Sequence, residues 1–428
     1  MAAKPNPIVI QPVSGWSYNN ISYALDDPDT NYDGNSYYQG NLSSPYNDPL
    51  NISCGHASHG LSGTDNYYSN YRVIAVKGTT ASDSDDWYLW HDGETYSVTG
   101  GANIRTNGKT GVTLNFNSSG GKLYFTSNDT ITVNTTGIVH VEGTSGTINT
   151  TSASKFDLSA GSNITITGIS SGNNEITLGG SNHITTGGGN DSITVNGSSS
   201  TVNAGDGANV ITVSGNTNSI VSGANDDHIT IDGASNKVNA GNGNNVITVS
   251  GNTNKITTGA NSDDITIDGA SNTVNAGNGD NVITVHGGSN KITTGADSDD
   301  ITIDGASNTV DAGNGANVIT VSGNTNKITT GTDADNITVT GSDNKVEAGN
   351  GANIVTVSGD RNDILSGTDV DNITIDGASN TVNAGNGDNV ITVSGNTNSI
   401  VSGANDDHIT IDGASNKVNA GNGNNVIT

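Results

Sequence analysis

A stretch of 36 residues, Ser222–Thr257, reads SGANDDHITIDGASNKVNAGNGNNVITVSGNTNKIT and returns with small edits through the rest of the chain. It divides into four nines, SGANDDHIT, IDGASNKVN, AGNGNNVIT and VSGNTNKIT. Each carries a branched aliphatic at its eighth place and Asp or Asn at its sixth. A unit this short cannot bury an apolar face alone, so repetition at a fixed period predicts stacked units rather than a globule. Two kinds of nine alternate, [TAS]-G-x-[GN]-x-[DN]-x-[IV]-T and [IV]-x-G-x-x-N-x-[IV]-x, which makes the full coil 18 residues with two short strands. In a strand such as Ile265-Thr266-Ile267, period-2 alternation sends both aliphatics inward and the Thr outward. The Gly-rich halves turn the chain. The abundance of β-branched residues and Gly argues against helix. The expected fold class is all-β: a parallel β-solenoid, or β-roll, of 18-residue two-strand coils preceded by a small β-rich N-terminal domain.

Composition supports a thin, repeated core. Of 428 residues only 31% are hydrophobic and 59 are Gly, too few apolar groups for one large globular core. After Phe156 there is no Phe, Tyr or Trp, so the core of the array must be Val and Ile. Three segments follow. Residues 1–98 hold all six prolines, all three tryptophans and eleven of the twelve tyrosines, and read as a separate domain with its own aromatic core. In residues 99–183 the apolar centres recur at ragged gaps of eight to eleven, from Ile104 and Val112 to Ile176 and Ile184. These read as irregular capping coils, with Phe116, Phe125 and Phe156 placed to cover the open end of the stack. Residues 184–428 are the regular array. Residues 391–428 repeat 211–248 without change and stop in mid-pattern, so the array is expected to be truncated or to continue.

Three columns run along the array. Asn218, Asn236, Asn254 and their successors to Asn416 predict an Asn ladder, amide bonded to amide along the stack. The matching place in the other nine alternates strictly: Asp191, Asn209, Asp227, Asn245, Asp263, Asn281, Asp299, and on through Asp335, Asp371 and Asp407. Coils ~4.8 Å apart would put like charges in repulsion worth roughly 3–4 kcal/mol, which the alternation halves. Further carboxylates (Asp226, Asp264, Asp297, Asp300, Asp333, Asp369) gather in the same turns. Two readings stand: Ca2+ held by carboxylates and loop carbonyls, hard oxygen ligands for a hard cation, or a solvated acidic edge. The third column is an outward Thr at every coil, Thr194 to Thr428. Such a rank resembles ice-binding solenoids, although its partner column is mixed and charged (Ser214, Asp232, Ser250, Asp268, His286).

The nine TGGGNDSIT at 186–194 is close to G-G-x-G-x-D-x-U-x. AGDGANVIT (204–212) and TGADSDDIT (294–302) are looser copies. Over 184–428 the chain thus resembles the hemolysin-type calcium-binding (RTX) repeat family. The resemblance implies a parallel β-roll with calcium between stacked turns, at Asp191, Asp227, Asp263, Asp299, Asp335, Asp371 and Asp407. The doubled Gly of that family is mostly absent here, and only every other nine keeps the loop.

A net charge of −28 argues against nucleic acid and anionic membrane as partners and favours cations. The single cysteine, Cys54, excludes an internal disulfide, and its run with His56 and His59 lacks a fourth zinc ligand. Asp29-Thr-Asn-Tyr-Asp-Gly34 begins like a calcium loop, but the acidic twelfth place is Gly40, so an Asx-rich turn is expected. No H-E-x-x-H, G-x-S-x-G or P-loop motif occurs, and no enzyme is expected. The first residues, MAAKPNP, lack a charged-then-apolar leader, and no membrane span is present. The reading that follows is a structural repeat protein, exported without an N-terminal signal peptide to the cell surface or beyond. There it would form a calcium-stabilised rod in a surface filament, surface layer or adhesin stalk. Its partner would be another copy or a cell-surface or matrix component. The alternative is an ice- or glycan-binding solenoid that works through its Thr face.

Overall fold

A computed structural model describes residues 172–428 throughout, most of 103–167, and before that the backbone of seven strands between Ile8 and Val98. Every regular element among the described residues is a strand. The chain is a parallel β-solenoid of about 17 turns, 18 residues apart, and divides into two units, Met1–Gly205 and Asp206–Thr428.

In residues 206–428 each coil gives one strand to each of two parallel sheets. The first sheet runs from Ser219–Val221 and Lys237–Gly241 to Lys417–Asn419. The second runs from Val210–Val213 and His228–Ile231 to Val426–Ile427. Partners lie one coil apart, as in Lys237 with Lys255 and Ile265 with Ile283. The predicted inward and outward faces are observed: Ile265 and Ile267 are fully buried, as are Ala240 and Ile256 from the first sheet, while Thr266 lies on the outer surface. Each aliphatic enclosed in this way contributes about 1.5–3 kcal/mol. No coil has enough of them to stand without its neighbours.

Close approach of successive coils fixes the turns. A Cβ on Gly251 would lie 2.0 Å from the Gly233 carbonyl oxygen one coil earlier. Two residues on, Thr253 takes a left-handed φ of 58°, and Ser235, Ser271 and Ser289 do the same in their coils. The opposite turn explains why the sequence repeats over two coils rather than one. Gly279 has φ 96° and donates its N–H to Asp297 at 2.8 Å; Gly315 donates to Asp333 and Gly351 to Asp369, each at 2.9 Å. Asx and Gly therefore alternate at this place, because a side-chain acceptor in one coil needs a bare, left-handed N–H in the coil before it.

In residues 1–205 the same stacking runs with uneven coils. Val112 pairs with Ile131, Ile131 with Ile148 and Ile148 with Ile166, separations of 19, 17 and 18. The turns absorb the difference while the core columns stay aligned. Phe156 pairs in register with Val139 and Ile176, and Phe116 and Phe125 are also buried. These rings are core members of the irregular coils rather than a cover over an open end. The Phe125 ring takes space that a regular coil would fill with side chains of its own: a Cβ on Gly146 would stand 2.1 Å from it. Parallel stacking reaches back to Asp86–Leu89 and Thr95–Val98, which pair with Asn103–Arg105 and Val112–Phe116. Upstream, Ile21–Asp26 pairs antiparallel with Tyr38–Leu42 and with Arg72–Lys77. The Asp29–Gly34 loop, His56, His59 and the side chain of Cys54 lie outside the described residues.

Replacing Ile265 with Asp should unfold its part of the stack at a cost of several kcal/mol, since the carboxylate would be buried without a partner. Thr266→Ser should change stability by less than about 0.5 kcal/mol. Urea melts followed by circular dichroism decide this; equal tolerance at the two positions would mean that the faces are exchanged.

Candidate functional site

At both corners of the coil the chain leaves one sheet for the other, and a backbone N–H there has no strand to bond to. Two inward columns of Asx side chains answer this need. Asn254 is buried, and its Oδ1 accepts the N–H of Asn236 one coil earlier at 2.7 Å; Asn272 does the same for Asn254. The spare Nδ2 of Asn236 and Asn272 donates to the carbonyls of Gly215 and Gly251, each at 3.0 Å. The predicted Asn ladder is thus present with a different partner. The side chains bond backbone rather than one another, because the corner N–H points along the stack and nothing else reaches it.

The alternating column occupies the other corner, and it too is buried. Asp191, Asp227, Asp263, Asp299, Asp335, Asp371 and Asp407 are each no more than 2% exposed, so the column faces the core and not the solvated edge. Asp263 Oδ1 accepts both the N–H of Asn245 at 2.9 Å and its Nδ2 at 2.8 Å, and Asn281 Oδ1 accepts the N–H of Asp263 at 3.0 Å. The Asp–Asn alternation suits this geometry as well as charge: Asp263 and Asp299 each accept both the N–H and the Nδ2 of the Asn one coil earlier.

A second alternation accompanies the first. Five residues before each Asp stands a hydroxyl, Thr186, Ser222, Thr258, Thr294, Thr330, Ser366 or Ser402; five residues before each Asn stands Ala. The hydroxyl has one proton and two acceptors in reach. Ser222, Thr258, Thr294 and Thr330 donate to the carbonyl of the Ala one coil on, at 2.6–2.9 Å. Asp227, Asp263, Asp299 and Asp335 then each have a buried Oδ2 without a hydrogen-bond partner. Ser366 instead donates to Asp371 Oδ2 at 2.6 Å. A proton on Oδ2 completes the chain, from carboxyl to hydroxyl to carbonyl. Burial pushes Asp227 up to about 6, opposed by the nearby Ser222 hydroxyl and by the Asn209 N–H that bonds its Oδ1. Burial likewise raises Asp191, Asp263, Asp299, Asp335 and Asp371.

As a calcium site this column is a poor fit. The cation needs six to eight oxygens, whereas each carboxylate has one oxygen committed to a neighbouring coil and the other enclosed by the core. Among the described residues no group of three His, Cys, Asp or Glu is placed to hold a metal ion. The exposed turn carboxylates are committed in part: Asp226 accepts the N–H of Asn244, and Asp297 that of Gly279. Away from the array, Lys122, His140, Glu142 and Asp157 line a shallow cleft, with His140 Nδ1 2.9 Å from Asp157 and Lys122 3.3 Å from Glu142. Sequence reasoning missed the Ser/Thr–Asp and Ala–Asn pairing. Its signal was present as a covariation at a spacing of five, which gains meaning only when that spacing crosses a corner.

A family model described as a protein of unknown function, DUF3060, matches residues 303–360, a little over three coils. No curated protein and no solved structure matches the chain.

The buried acids set a pH dependence. Between the ordinary value of 3.8 and about 6, folded Asp227 keeps a proton that the unfolded chain has released. Stability is therefore full below the ordinary value and falls as pH rises through the folded one, by roughly 3 kcal/mol for such a group. The melting temperature should be higher at pH 5 than at pH 7. Combining Asp227→Asn, Asp263→Asn and Asp299→Asn should raise it at pH 7 and flatten the slope, since an amide supplies the missing donor. Exposed Asp232→Asn, Asp268→Asn and Asp304→Asn remove equal charge and should leave the slope in place. If both triples behave alike, the buried protons are not its source.

Proposed function

We propose that this chain is a structural protein whose work is to be a stiff rod, in a surface filament, surface layer or adhesin stalk outside the cell. The observation that carries the reading is the use of the polar side chains. In the regular coils the inward Asx groups bond the backbone of the coil before, and the outward groups form straight columns. A β-solenoid is an architecture typical of structural repeat proteins. Calcium has a place in this reading at the exposed turn carboxylates, Asp226, Asp297, Asp333 and Asp369, each of which accepts a backbone N–H through one oxygen. There it would relieve repulsion along an acidic edge from outside. The test is electron microscopy of the purified chain, with calcium and with chelator. Coils spaced ~4.8 Å give roughly 60 Å for residues 206–428. Rods of constant width are expected in both conditions, stiffer or longer-lived to melting with calcium. Globular particles in both would overturn the reading.

The unbroken Thr column on the second sheet supports a second reading, binding of ice or a glycan along that face. Its flanks alternate Val246, Asp264, Val282 and Asp300 on one side and Ser250, Asp268 and His286 on the other, which gives no second Thr rank. Thermal hysteresis in the purified protein would favour this reading; freezing behaviour equal to that of buffer would remove its ice-binding form.

A further inference from the structure

The outward faces of residues 206–428 differ in charge. All six lysines there, Lys237, Lys255, Lys291, Lys327, Lys345 and Lys417, fall in one column on the outer face of the first sheet. The second sheet and its edge carry no Lys or Arg, and present Asp232, Asp264, Asp268, Asp300, Asp304 and Asp376.

The lysine column is not arranged for pairing within the chain. Lys237 stands opposite Lys255 in the sheet register, and like charges directly opposite are unfavourable. Among the described residues, no carboxylate lies within 4.0 Å of Lys237, Lys255, Lys291 or Lys417, whereas Glu347 serves Lys327 at 3.3 Å and Lys345 at 2.8 Å. Acids share this face farther along, with Asp363 in the column opposite Lys345 and Asp311 and Glu347 beside it, but from Lys237 to Lys291 the cations stand without acid partners. Lys255, Lys291 and Lys327 recur every 36 residues, and so do Asp232, Asp268 and Asp304 on the other sheet. Two coils span ~9.6 Å on either face, so these three lysines match these three aspartates in spacing; beyond them Asp363 stands in the lysine row and Thr340 in the aspartate row.

We infer that the lysine face of one copy docks on the aspartate face of a second, side by side. This rests on the rod reading and names the lateral contact that such a rod would make. Lysine face on lysine face and aspartate face on aspartate face both repel, which leaves the unlike pairing alone. A contact that uses different faces on the two partners propagates into an open row unless the rotation between copies closes it into a ring. Exposed ion pairs are individually weak, about 0.2–1 kcal/mol; the association therefore depends on several acting along the coil stack and is sensitive to salt. His286 stands within the aspartate row, 2.7 Å from Asp268 and 3.7 Å from Asp304.

The test is sedimentation velocity on the 428-residue chain with chelator present, so that calcium bridges contribute nothing. At about 0.1 M salt, where the screening length is ~10 Å, the sedimentation coefficient should rise with protein concentration; at about 1 M, where it is ~3 Å, a single species should remain. One variant carries Lys237→Glu, Lys255→Glu and Lys291→Glu, and another Asp232→Lys, Asp268→Lys and Asp304→Lys. Each alone should stay a single species at 0.1 M, and an equimolar mixture should associate again, because their reversed faces fit each other. If a reversed variant loses its strand spectrum, Lys→Gln or Asp→Asn at the same three places substitutes for it and should weaken association. Wild type that remains a single species at 0.1 M, or a reversed variant that associates alone as wild type does, would overturn the inference. Small-angle scattering at 1 M salt separates the two levels. An elongated single chain with no association sinks only the lateral contact; a globular one sinks the rod itself.

Discussion

Corner backbone amides are the constraint on which this solenoid depends. A strand finds its partners automatically when an identical strand lies one coil away, but a corner does not, and a buried N–H left unbonded costs about 1–3 kcal/mol. With a corner at each side of every coil, that penalty would be about 2–6 kcal/mol per coil, a large share of what its few aliphatics return. The Asx columns remove it. Each Oδ1 takes the N–H of the coil before, as Asn254 does for Asn236 and Asp263 for Asn245. The Gly contacts serve the same end, since Gly251 lets the coils approach closely enough for these bonds to form.

One corner differs from the other in a way that couples the core to protons. At the Asn corner the side chains receive, and most of them also give, without charge. At the other, an acid sits where half its hydrogen-bonding capacity is enclosed, and a hydroxyl five residues earlier can satisfy the carboxylate or an Ala carbonyl but not both. Ser366 resolves the contest toward Asp371, Thr258 toward Ala276. The acid is tolerated because protonation offers a third solution. The resemblance to calcium-binding repeats and the burial of these carboxylates pull in different directions: the motif spacing suits a metal turn, while the bonds made here are those of a ladder.

Outside the core, the two sheets have been given different work. Both must be flat and regular, because identical strands stack in register. Regularity turns any residue placed at one position into a line of like residues, so charge placement on a solenoid is a decision about a whole face. The bidentate pair of Arg361 with Asp343, at 2.8 Å, sits in the left-handed corner column instead, where neighbouring coils usually place Ser or Thr. It shows that a cation can be paired within the stack at a corner, in contrast to the lysines on the sheet face.

Much of this was legible in the sequence, and the reason is locality. The 18-residue coil, the inward aliphatics such as Ile265 and Ile267 and the outward Thr266 follow from period-2 alternation between Gly-rich turns, which needs no knowledge of distant residues. The columns themselves followed too, since a fixed period makes every residue a neighbour of the one 18 places on. What the sequence could not settle was the direction of a polar side chain. Asp263 looks like a surface residue by its chemistry; only the stacked coils reveal the corner N–H of Asn245 that draws it inward. In the same way, Phe156 suited an end cap by size, and its place between Val139 and Ile176 depended on uneven coils closing around it. Alternation and period are properties of a chain and can be read along it. The partner of a buried polar group, or the space left for a ring, belongs to the next coil and exists only once the stack has formed.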